Sequence, residues 1–370
     1  MQGRIVARDL LENGHSVFLA DLYREPAEKI LKRPKTGFDF VDLRNKKTTA
    51  ALIKRINPSV VINCAEGDWN LNVYEVCLKA GYHVIDLGSD VPMTKAQLAM
   101  HSDFEKKNLI AVTGCGSTPG VNNIMLHHAH LLFDTLDTIE LGFAWDSNIK
   151  KFVVPFSIQS IIEEFTDLAP IVKNRKFINM VPLENIEKRK FRAIGNQECF
   201  FVRHPETYTF YFYNKKDGLK NLRFYAGFPK HSADTIKTFI NTGLGSYEPV
   251  IIDGKEVVPA DVLTQALKKL PIPEGYTEKE NLWVYVLGKK DSKPKKILME
   301  CIVDTLPGWE DAGCNIDTGM PASIIAQMVK DGRVTARGSW APGPVVPCEE
   351  FFRELRIRKM IVYQNGKVIN

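Results

Sequence analysis

The opening of the chain carries residues whose spacing is typical of a nucleotide-binding turn. In MQGRIVARDLLENGHSVFLAD, Gly3 is followed by apolar residues at helical spacing, and a glycine-containing turn separates that helix from the apolar strand 17–20. Asp21 follows about 20 residues after the glycine turn, where a carboxylate accepts hydrogen bonds from the adenine ribose hydroxyls. Such a residue repels a 2′-phosphate and favours NAD, whereas the nearby Arg24 weakens that preference and leaves NADP possible. The alternative is an ordinary surface helix and strand with a solvated Asp21.

In this interpretation Gly3 is the third glycine of a G-x-G-x-x-G fingerprint, whose glycines permit a tight turn and close helix packing. The first strand and the two earlier glycines, which approach the pyrophosphate, are then absent from the sequence. We expect that an upstream start supplies them or that this part of the site has been lost. A V-x-G-x-G stretch in frame ahead of Met1 would favour the first explanation.

Three further polar loops follow apolar strands in the first third of the chain. Strands and helices alternate here, which is the rhythm of a doubly wound parallel sheet. Ligands on such sheets lie beyond the carboxyl ends of the strands, so the loops 64–68, 86–90 and 113–120 should face a common crevice. The expected cofactor-binding residues are Cys64, Ala65, Asp86, Gly114 and Gly116, in addition to Gly3, Asp21 and Arg24.

The segment TGCGSTPGVNN at 113–123 is the most informative of these loops. Its glycines and proline predict a tight turn, and the free amides of the helix that follows could hold an anion. Cys115 is a candidate catalytic thiol; the alternative is a small buried residue, because a reactive thiol needs electropositive surroundings. The histidines of HHAH at 127–130 resemble a metal cluster, but no carboxylate or cysteine accompanies them at suitable spacing. We therefore predict no metal site.

The composition indicates a globular enzyme. A length of 370 residues is enough for two domains, and Lys plus Arg exceeds Asp plus Glu by 49 to 44. This mild excess suits small anionic ligands, and the absence of a basic stripe interleaved with aromatics predicts no nucleic-acid partner. No run approaches the ~18 apolar residues of a membrane span, so we expect no membrane partner. Seven scattered cysteines without a C-x-x-C pair fit reduced thiols in a cytoplasmic protein.

From Leu136 onward the pattern becomes strand-rich and aromatic. TIELGFAW, ECFFVRHPETYTFYFY and NLRFYAGF predict strands of one antiparallel or mixed sheet. Helices are predicted at 157–165 and 232–241. The stretch KKDSKPKK at 289–296 predicts a solvated turn between two strands rather than a phosphate site.

The order of several motifs resembles the saccharopine dehydrogenase family, which includes saccharopine reductases, lysine 6-dehydrogenases and carboxynorspermidine dehydrogenases. The resemblance extends from Gly3 to about Phe352. It rests on the Rossmann start, VVINCAEGDWN, HVIDLGSD, GCGSTPGVNN and TGMPASIIAQMVKDGRV. It implies an α/β fold in which a Rossmann-type doubly wound parallel sheet, apparently without its first strand, is interrupted by an α/β domain with an open mixed sheet.

The resemblance also implies a division of the chain. A dinucleotide-binding domain would comprise residues 1–122 and 317–370, and a substrate and dimerisation domain would comprise 123–316. The returning helix would have Pro321 in its first turn and would end at Gly332. Relatives suggest a homodimer.

The chemistry that the resemblance implies is reversible hydride transfer between a nicotinamide and a carbon bearing an amine. The site then needs a proton acceptor for the amine, and water attacks the resulting imine with a second proton transfer. The amino-acid substrate carries a carboxylate, which a guanidinium holds well. Arg223 matches the arginine of an L-R-Y-x-G segment in saccharopine reductases, although RFYAGFPKH is longer here. The alternative for Arg223 is an arginine on an amphipathic edge strand.

Candidates for proton transfer come from both halves of the chain. His231 and His204 lie in the expected substrate domain and carry an imidazole that titrates near neutrality. Asp86, at a strand's carboxyl end, could act directly or orient an amine. Glu163, in the pair Glu163-Glu164, could bind a cationic substrate amine. Each of these residues has a structural alternative, which for Glu163 is an exposed helix surface.

Three functional hypotheses follow. The first is an NAD(P)-dependent oxidoreductase that acts on an amino acid or on a secondary amine derived from one, such as lysine, saccharopine or a carboxylated polyamine. The second is a protein that keeps the fold, has lost the cofactor site and works as a binding partner. The third is the same enzyme with a misassigned start; the complete chain should then bind NADH well and the given sequence poorly.

Overall fold

The structure, a computed structural model, describes residues 1–370 as two lobes built on separate β-sheets. The helices are α1 (Gln2–Glu12), α2 (Glu28–Leu31), α3 (Lys46–Ile56), α4 (Asn70–Ala80), α5 (Val91–Ala99), α6 (His101–Lys106), α7 (Val121–His130), α8 (Ile158–Thr166), α9 (Glu206–Asn214), α10 (Lys230–Asn241), α11 (Pro259–Leu267), α12 (Ile316–Lys330) and α13 (Cys348–Ile357). None of them has the length and apolar content that a membrane span requires.

The strands of the first lobe are β1 (Val17–Asp21), β2 (Thr36–Phe40), β3 (Val60–Asn63), β4 (His83–Asp86) and β5 (Ile110–Val112). Those that follow are β6 (Thr135–Ser147), β7 (Ala169–Lys173), β8 (Lys176–Met180), β9 (Glu187–Phe191), β10 (Gly195–Phe201), β11 (Asn221–Gly227), β12 (Val250–Ile252), β13 (Lys255–Val257), β14 (Glu278–Lys290), β15 (Lys293–Asp304), β16 (Gly338–Trp340), β17 (Ile361–Gln364) and β18 (Lys367–Val368).

The first lobe is the predicted doubly wound parallel sheet. Strands β3, β4, β5 and β16 pair in parallel in the order β16-β5-β4-β3, and β1 pairs in parallel with β2. Alternate residues of β4 point to opposite faces: Val84 packs under α4 and α6, and Ile85 joins the large core on the other side. Apolar helices therefore cover both faces, as the unbroken apolar strands predicted.

The parallel strands of the first lobe form two separate groups. The doubly wound order places one strand between β1 and β3, and no strand of this chain occupies that position. Helix α1 lies beside it: a Cβ built on Gly3 would lie 3.5 Å from the Cβ of Cys64, the residue that follows β3. The segment at 2–12 is thus the helix that the opening motif predicted, and it packs next to the unfilled strand position.

The second lobe is a mixed sheet in the order β18-β17-β15-β14-β6-β11-β10-β9, to which β7 and β8 are added through β11. Strands β11 and β6 are parallel, and the other neighbours are antiparallel. The hairpin of β14 and β15 turns at Asp291 and Ser292, both at positive φ, so the solvated turn predicted at 289–296 is confirmed. The two sheets share one continuous core of 59 buried residues.

The sheet of the second lobe has two distinct faces. On β14, Leu282, Val284 and Val286 point to what we call the inner face, which packs into the core shared with the helices. Trp283 points to the outer face with Tyr225, where a smaller apolar cluster lies. Because strand residues alternate, Glu278 and Glu280 also lie on the inner face, at the end of β14 nearest the first lobe.

Three details differ from the sequence predictions. The aromatic run at 206–213, predicted as strand, is helix α9: Pro205 opens it, and Thr209 and Phe210 are buried at helical rather than alternating spacing. Helix α12 begins at Ile316, so Pro321 lies inside the helix instead of in its first turn. Strands β17 and β18 are hydrogen bonded to the second sheet rather than to the Rossmann sheet, because β17 pairs with β15. The domain boundaries themselves stay a prediction.

Candidate functional site

The structure brings the three strand-end loops together. A Cβ on Gly88, in the loop after β4, would lie 2.7 Å from the ring of Pro119, in the loop after β5; a Cβ on Gly114 would lie 2.6 Å from the same ring. Both glycines have positive φ, so no other residue fits these positions without strain. The amide of Asn70 donates to the carbonyl of Gly88 at 3.3 Å and ties in the loop after β3. The predicted common crevice is therefore formed at the carboxyl ends of the parallel strands.

Asp86 is the hydrogen-bond centre of these loops. One carboxylate oxygen accepts from the Tyr74 hydroxyl and the Gln97 amide, each at 2.6 Å. The other accepts from the backbone N–H of Gly88 at 2.6 Å and of Gly114 at 3.0 Å, with the Thr113 hydroxyl at 3.2 Å. Its side chain is fully buried, which raises its pKa while these donors oppose the increase. This closed environment holds the loops together, and the proton-transfer role of Asp86 stays a prediction.

Cys115 and Gly116 lie in the interior of the glycine loop. The N–H of Cys115 donates to the carbonyl of Asp86 at 2.8 Å, and its thiol contacts the carbonyl of Val112 at 3.4 Å. Burial raises the pKa of this thiol well above its ordinary value. A neutral, fully buried thiol is not a nucleophile. A Cβ on Gly116 would lie 3.0 Å from the Thr318 side chain, so this glycine lets helix α12 approach the loop.

The start of α1 faces the first two strand ends. The pKa of the amino group of Met1 is lowered, first by burial and then by Arg4, while the charges of Asp21 and Glu66 oppose this. Cys64 is half-buried, and burial raises the pKa of its thiol to about 12. Ala65 is exposed and donates its N–H to Asn63 at 3.3 Å. An alanine-sized group at Gly3 would make ordinary contact with Cys64, so close packing alone does not require glycine there.

Asp21, the last residue of β1, and Arg24, in the loop after it, are exposed where the Rossmann fold places the adenine ribose. The carboxylate of Asp21 accepts only the N–H of Tyr23, at 3.1 Å, which leaves its second oxygen open to a ribose hydroxyl. The guanidinium of Arg24 lies 5.2 Å from the centroid of Phe38. These residues, together with the half-buried rim at 87–89 and 118–119, fit the two ends of a dinucleotide. The strand position next to its pyrophosphate is the unfilled one.

Arg223 does not reach the crevice. It lies on the outer face of β11 and donates to Glu140 at 2.7 Å; the partner of Glu140 on its other oxygen is Arg189, at 2.9 Å. The crevice residues of the second sheet lie on the opposite, inner face. The carboxylate-binding role of Arg223 stays a prediction, and this ion pair argues for the alternative of a structural arginine on the sheet.

The other candidates from the second lobe are dispersed. His204 stacks on Phe224 with 4.1 Å between ring centroids and is hydrogen bonded to the buried carboxylate of Glu206. Glu163 is partly exposed and lies 3.5 Å from Arg203. His231 lies in the first turn of α10, and its Nε2 atom is buried without a partner; burial and Lys150 lower the pKa of its imidazole. The histidines at 127–130 form no metal-binding group.

A cluster of buried carboxyl groups is the part of the site that sequence reasoning missed. Glu280, half-buried on the inner face of β14, lies next to the buried Asp317 at the start of α12, whose Oδ2 atom has no hydrogen-bond partner. Burial raises the pKa of Asp317 to about 7, and burial followed by the Asp317 charge raises the pKa of Glu280 well above its ordinary value. Asp317 also accepts from the hydroxyl of Thr318, which lies 2.9 Å from that of Ser117. The pair therefore adjoins the glycine loop.

Two further acidic residues lie next to this pair, and their charges raise the pKa of Glu280. Glu278 accepts hydrogen bonds from the Tyr276 hydroxyl and the N–H of Cys314, each at 2.9 Å. Glu164, on the buried side of α8, has an oxygen without any hydrogen-bond partner. Glu278 and Glu280 could have been found from the sequence, because they continue the alternation of the buried apolar positions 282, 284 and 286. The inner face of β14 therefore continues into two carboxyl groups.

Aromatic rings line the same side of the sheet. Trp145 is opposite Glu280 in the register of β6 and β14, and its indole N–H is buried without an acceptor. Phe228 lies 6.2 Å from the Trp145 ring and 5.1 Å from that of Phe165, the neighbour of Glu164. The site thus combines carboxyl groups with apolar ring faces, a composition suited to a cationic ligand.

The fold and the crevice define a Rossmann-type α/β protein with a second lobe on a mixed sheet. Residues 1–112 match the family model described as the saccharopine dehydrogenase NADP binding domain, and residues 116–361 match the saccharopine dehydrogenase C-terminal domain. The chain therefore belongs to the saccharopine dehydrogenase family. The predicted family, fold and nicotinamide cofactor, NAD or NADP, are confirmed, and the chain is an NAD(P)-dependent oxidoreductase of this family.

The chain is similar to two curated relatives and to a solved structure over most of their length. The chain is 25% identical over 320 residues to carboxynorspermidine synthase from Vibrio alginolyticus, which covers 81% of this chain and 74% of the relative. It is 23% identical over 331 residues to carboxyaminopropylagmatine dehydrogenase from Synechocystis sp., covering 86% and 81%. Apo saccharopine dehydrogenase (L-Glu forming) from Saccharomyces cerevisiae has a TM-score of 0.76 at 12% identity and covers 100% of this chain and 98% of that one, which shows the shared fold.

Proposed function

We propose that the chain catalyses reversible hydride transfer between a nicotinamide and the amine-bearing carbon of an amino-acid-derived secondary amine. The observation that carries this proposal is the contact of Ser117 with Thr318, which sets the Glu280–Asp317 pair beside the glycine loop of the Rossmann crevice. Hydride acceptor and proton acceptor would then lie on the two sides of one crevice. The names of the two curated relatives each contain a carboxylated polyamine-type compound, carboxynorspermidine and carboxyaminopropylagmatine, which supports this substrate class.

The residues of the crevice divide the work. Asp21 would hold the adenine ribose, and the backbone of the loops at 64–68, 86–90 and 113–120 would surround the rest of the dinucleotide, which supplies or accepts the hydride when bound. Asp317 would accept a proton from the substrate ammonium, because a carboxyl with a pKa of about 7 exchanges protons readily near neutral pH. Glu280 would keep its own proton while Asp317 gains one. The role of His231, which lies apart from these residues, in proton transfer to water stays a prediction; its Nε2 atom is buried without a partner.

A substrate panel tests this function. Saccharopine, carboxynorspermidine, carboxyaminopropylagmatine and lysine would each be mixed with the chain and NAD⁺ or NADP⁺, and formation of reduced nicotinamide would be followed by its absorbance. We expect turnover with a secondary amine and loss of turnover in Asp317→Asn. Turnover with lysine alone would favour the alternative of a lysine 6-dehydrogenase. Absence of turnover with every amine and both cofactors would refute the proposal.

The second candidate is a fold-retaining binding protein without catalysis. Fluorescence titration with NADH separates the two functions. An enzyme binds NADH and turns it over, whereas this candidate binds amines without binding NADH.

A homodimer and a cytoplasmic location are further proposals. Support for a second copy comes from exposed apolar residues on the β12–β13 hairpin, among which Ile251 is 68% exposed. Light scattering after size exclusion measures the mass directly, and a monomer would contradict the dimer. All seven cysteines are unpaired, which suits a reducing compartment. Localisation of the tagged protein in its own cell tests the second proposal.

A further inference from the structure

Glu164 is a buried carboxylate without a cation. Its side chain is 8% exposed, and its Oε2 atom has no hydrogen-bond partner. The neighbouring Glu163 turns outward and meets Arg203, which also pairs with Asp167 at 3.1 Å. Two adjacent carboxylates on one helix therefore have opposite surroundings, and no lysine or arginine of the chain pairs with the inner one.

A carboxylate in this position needs either a proton or a positively charged partner, because burying an isolated charge is very unfavourable. The pKa of Glu164 is raised well above its ordinary value, first by burial and then by the Glu163 charge. The nearby Glu280 cannot neutralise it, because it is an acid as well, and no lysine or arginine of the chain pairs with Glu164. A positive charge at this position must therefore come from a ligand; without one, Glu164 is neutral only when it carries a proton.

We propose that Glu164 is the receptor for a second, positively charged amine nitrogen of the substrate, apart from the nitrogen at the reacting carbon. This inference rests on the proposed function. The substrate class is then a carboxylated di- or polyamine, with a free ammonium group at some distance from its amino-acid end. The aromatic wall of Phe165, Phe228 and Trp145 would cover the methylene groups and face the cation. The unpartnered indole N–H of Trp145 is a donor suited to the carboxylate of the same molecule.

The alternative substrate class, a secondary amine flanked by carboxylates such as saccharopine, requires cationic side chains on the inner face. The arginines nearest in sequence to the site are occupied elsewhere. Arg203 pairs with Glu163 and Asp167 on the outside of α8, and Arg223 pairs with Glu140 on the outer face of the sheet. The charges that face the crevice favour a cationic ligand over a polyanionic one.

Binding of 1,3-diaminopropane, which carries an aminopropyl group with two ammonium ends, tests the receptor without any turnover. Isothermal titration calorimetry would compare the wild-type chain with Glu164→Gln, which keeps the shape and removes the charge. The matched control is Asp167→Asn, at the end of the same helix but exposed and ion paired. We expect Glu164→Gln to weaken diamine binding by about tenfold to a hundredfold, the range of a charge-assisted hydrogen bond, and Asp167→Asn to leave it unchanged. Glutarate, a dianion of similar length, should not bind.

Equal diamine affinity in wild type and Glu164→Gln would overturn the inference, as would a wild-type chain that binds glutarate but no diamine. Gln at 164 removes a buried charge, so the variant should be at least as stable as wild type; thermal unfolding verifies that it is folded. The inference and the proposed function can fail separately. If saccharopine is turned over equally well by wild type and Glu164→Gln, the proposed oxidoreductase function holds and the receptor role of Glu164 is refuted. If diamine binding depends on Glu164 but no hydride transfer occurs with any substrate, the receptor role of Glu164 holds and the proposed function is refuted.

Discussion

Replacement of Asp86 by asparagine separates a structural carboxylate from a catalytic one. The sequence placed Asp86 among the candidates for proton transfer, because it ends a strand at the crevice. In the structure it is fully buried, and both of its oxygens accept hydrogen bonds from the surrounding loops. We therefore expect Asp86→Asn to lower the free energy of unfolding and to act on catalysis only through the positions of these loops.

The expected loss of stability in Asp86→Asn follows from the number of buried donors that lose their acceptor. Asparagine keeps one oxygen, which can still accept from the N–H groups of Gly88 and Gly114. Its amide nitrogen replaces the oxygen that accepts from Tyr74 and Gln97, so two buried donors lose their acceptor. Each such loss costs about 1–3 kcal/mol, so the free energy of unfolding should fall by about 4 kcal/mol. The matched control Tyr74→Phe removes a single donor and should cost about 1 kcal/mol.

Urea unfolding followed by circular dichroism at pH 7 measures both variants, and steady-state kinetics with the best substrate of the panel measures their turnover. Because the loops at 86–90 and 113–120 line the crevice, Asp86→Asn should raise the KM for the nicotinamide cofactor more than it lowers kcat. A variant with wild-type stability whose kcat falls by orders of magnitude would refute the structural role. It would return Asp86 to the proton-transfer role that the sequence suggested.

Three other predictions use the same protein. The folded state raises the pKa of Asp317 to about 7, so its protonated form stabilises the fold; Asp317 alone should lower the stability by about 4 kcal/mol as the pH rises from about 4 to 7, Glu280 acts in the same direction, and the double variant Asp317→Asn/Glu280→Gln should remove this slope in urea unfolding across that range. Cys115 should react with iodoacetamide no faster than global unfolding allows; rapid labelling of this residue, read by mass spectrometry, would contradict its burial. Arg223→Ala should leave the KM for a carboxylated substrate within about twofold, because its partner is Glu140 on the outer face; a large increase in KM would establish the carboxylate clamp instead.

Local patterns were sufficient to predict much of the first lobe. The apolar strands and the glycine and asparagine stops correspond to β1, β3, β4 and β5, and the loops after them meet as the parallel topology requires. The same local reasoning failed at 206–213, where ETYTFYFY has the aromatic and threonine content of a strand. Tertiary packing decided this segment, because α9 buries Phe210 against the sheet and the pairing edge of β11 is taken by β10 and β7.

The acidic site lay beyond local reasoning for a different reason. Glu280 and Asp317 are 37 positions apart, on a strand of one sheet and a helix that begins beside the other. Their proximity depends on the register of β14 with β6 and on the path by which the chain returns between the lobes. The hydrophobic periodicity of a segment predicts neither of these. The pair Glu163-Glu164 was recognised as a possible amine site. Which of the two carboxylates points inward is set by the packing of α8, so the sequence left that choice open.

The number of donors around each carboxylate separates structural from functional acids in this molecule. Asp86 and Glu164 are both buried acids near the crevice. Asp86 accepts from two side chains and two backbone N–H groups at 3.0 Å or less, which compensates its charge within the protein. Glu164 and Asp317 each have an oxygen with no donor at all, and Asp317 lies beside another acid, Glu280. Because uncompensated burial destabilises the folded state, a ligand that brings a cation or donates a proton gains the most free energy at the second kind of acid. The lobe junction therefore directs a cationic amine to Glu164 and its proton to Asp317, while Asp86 keeps the cofactor loops in place.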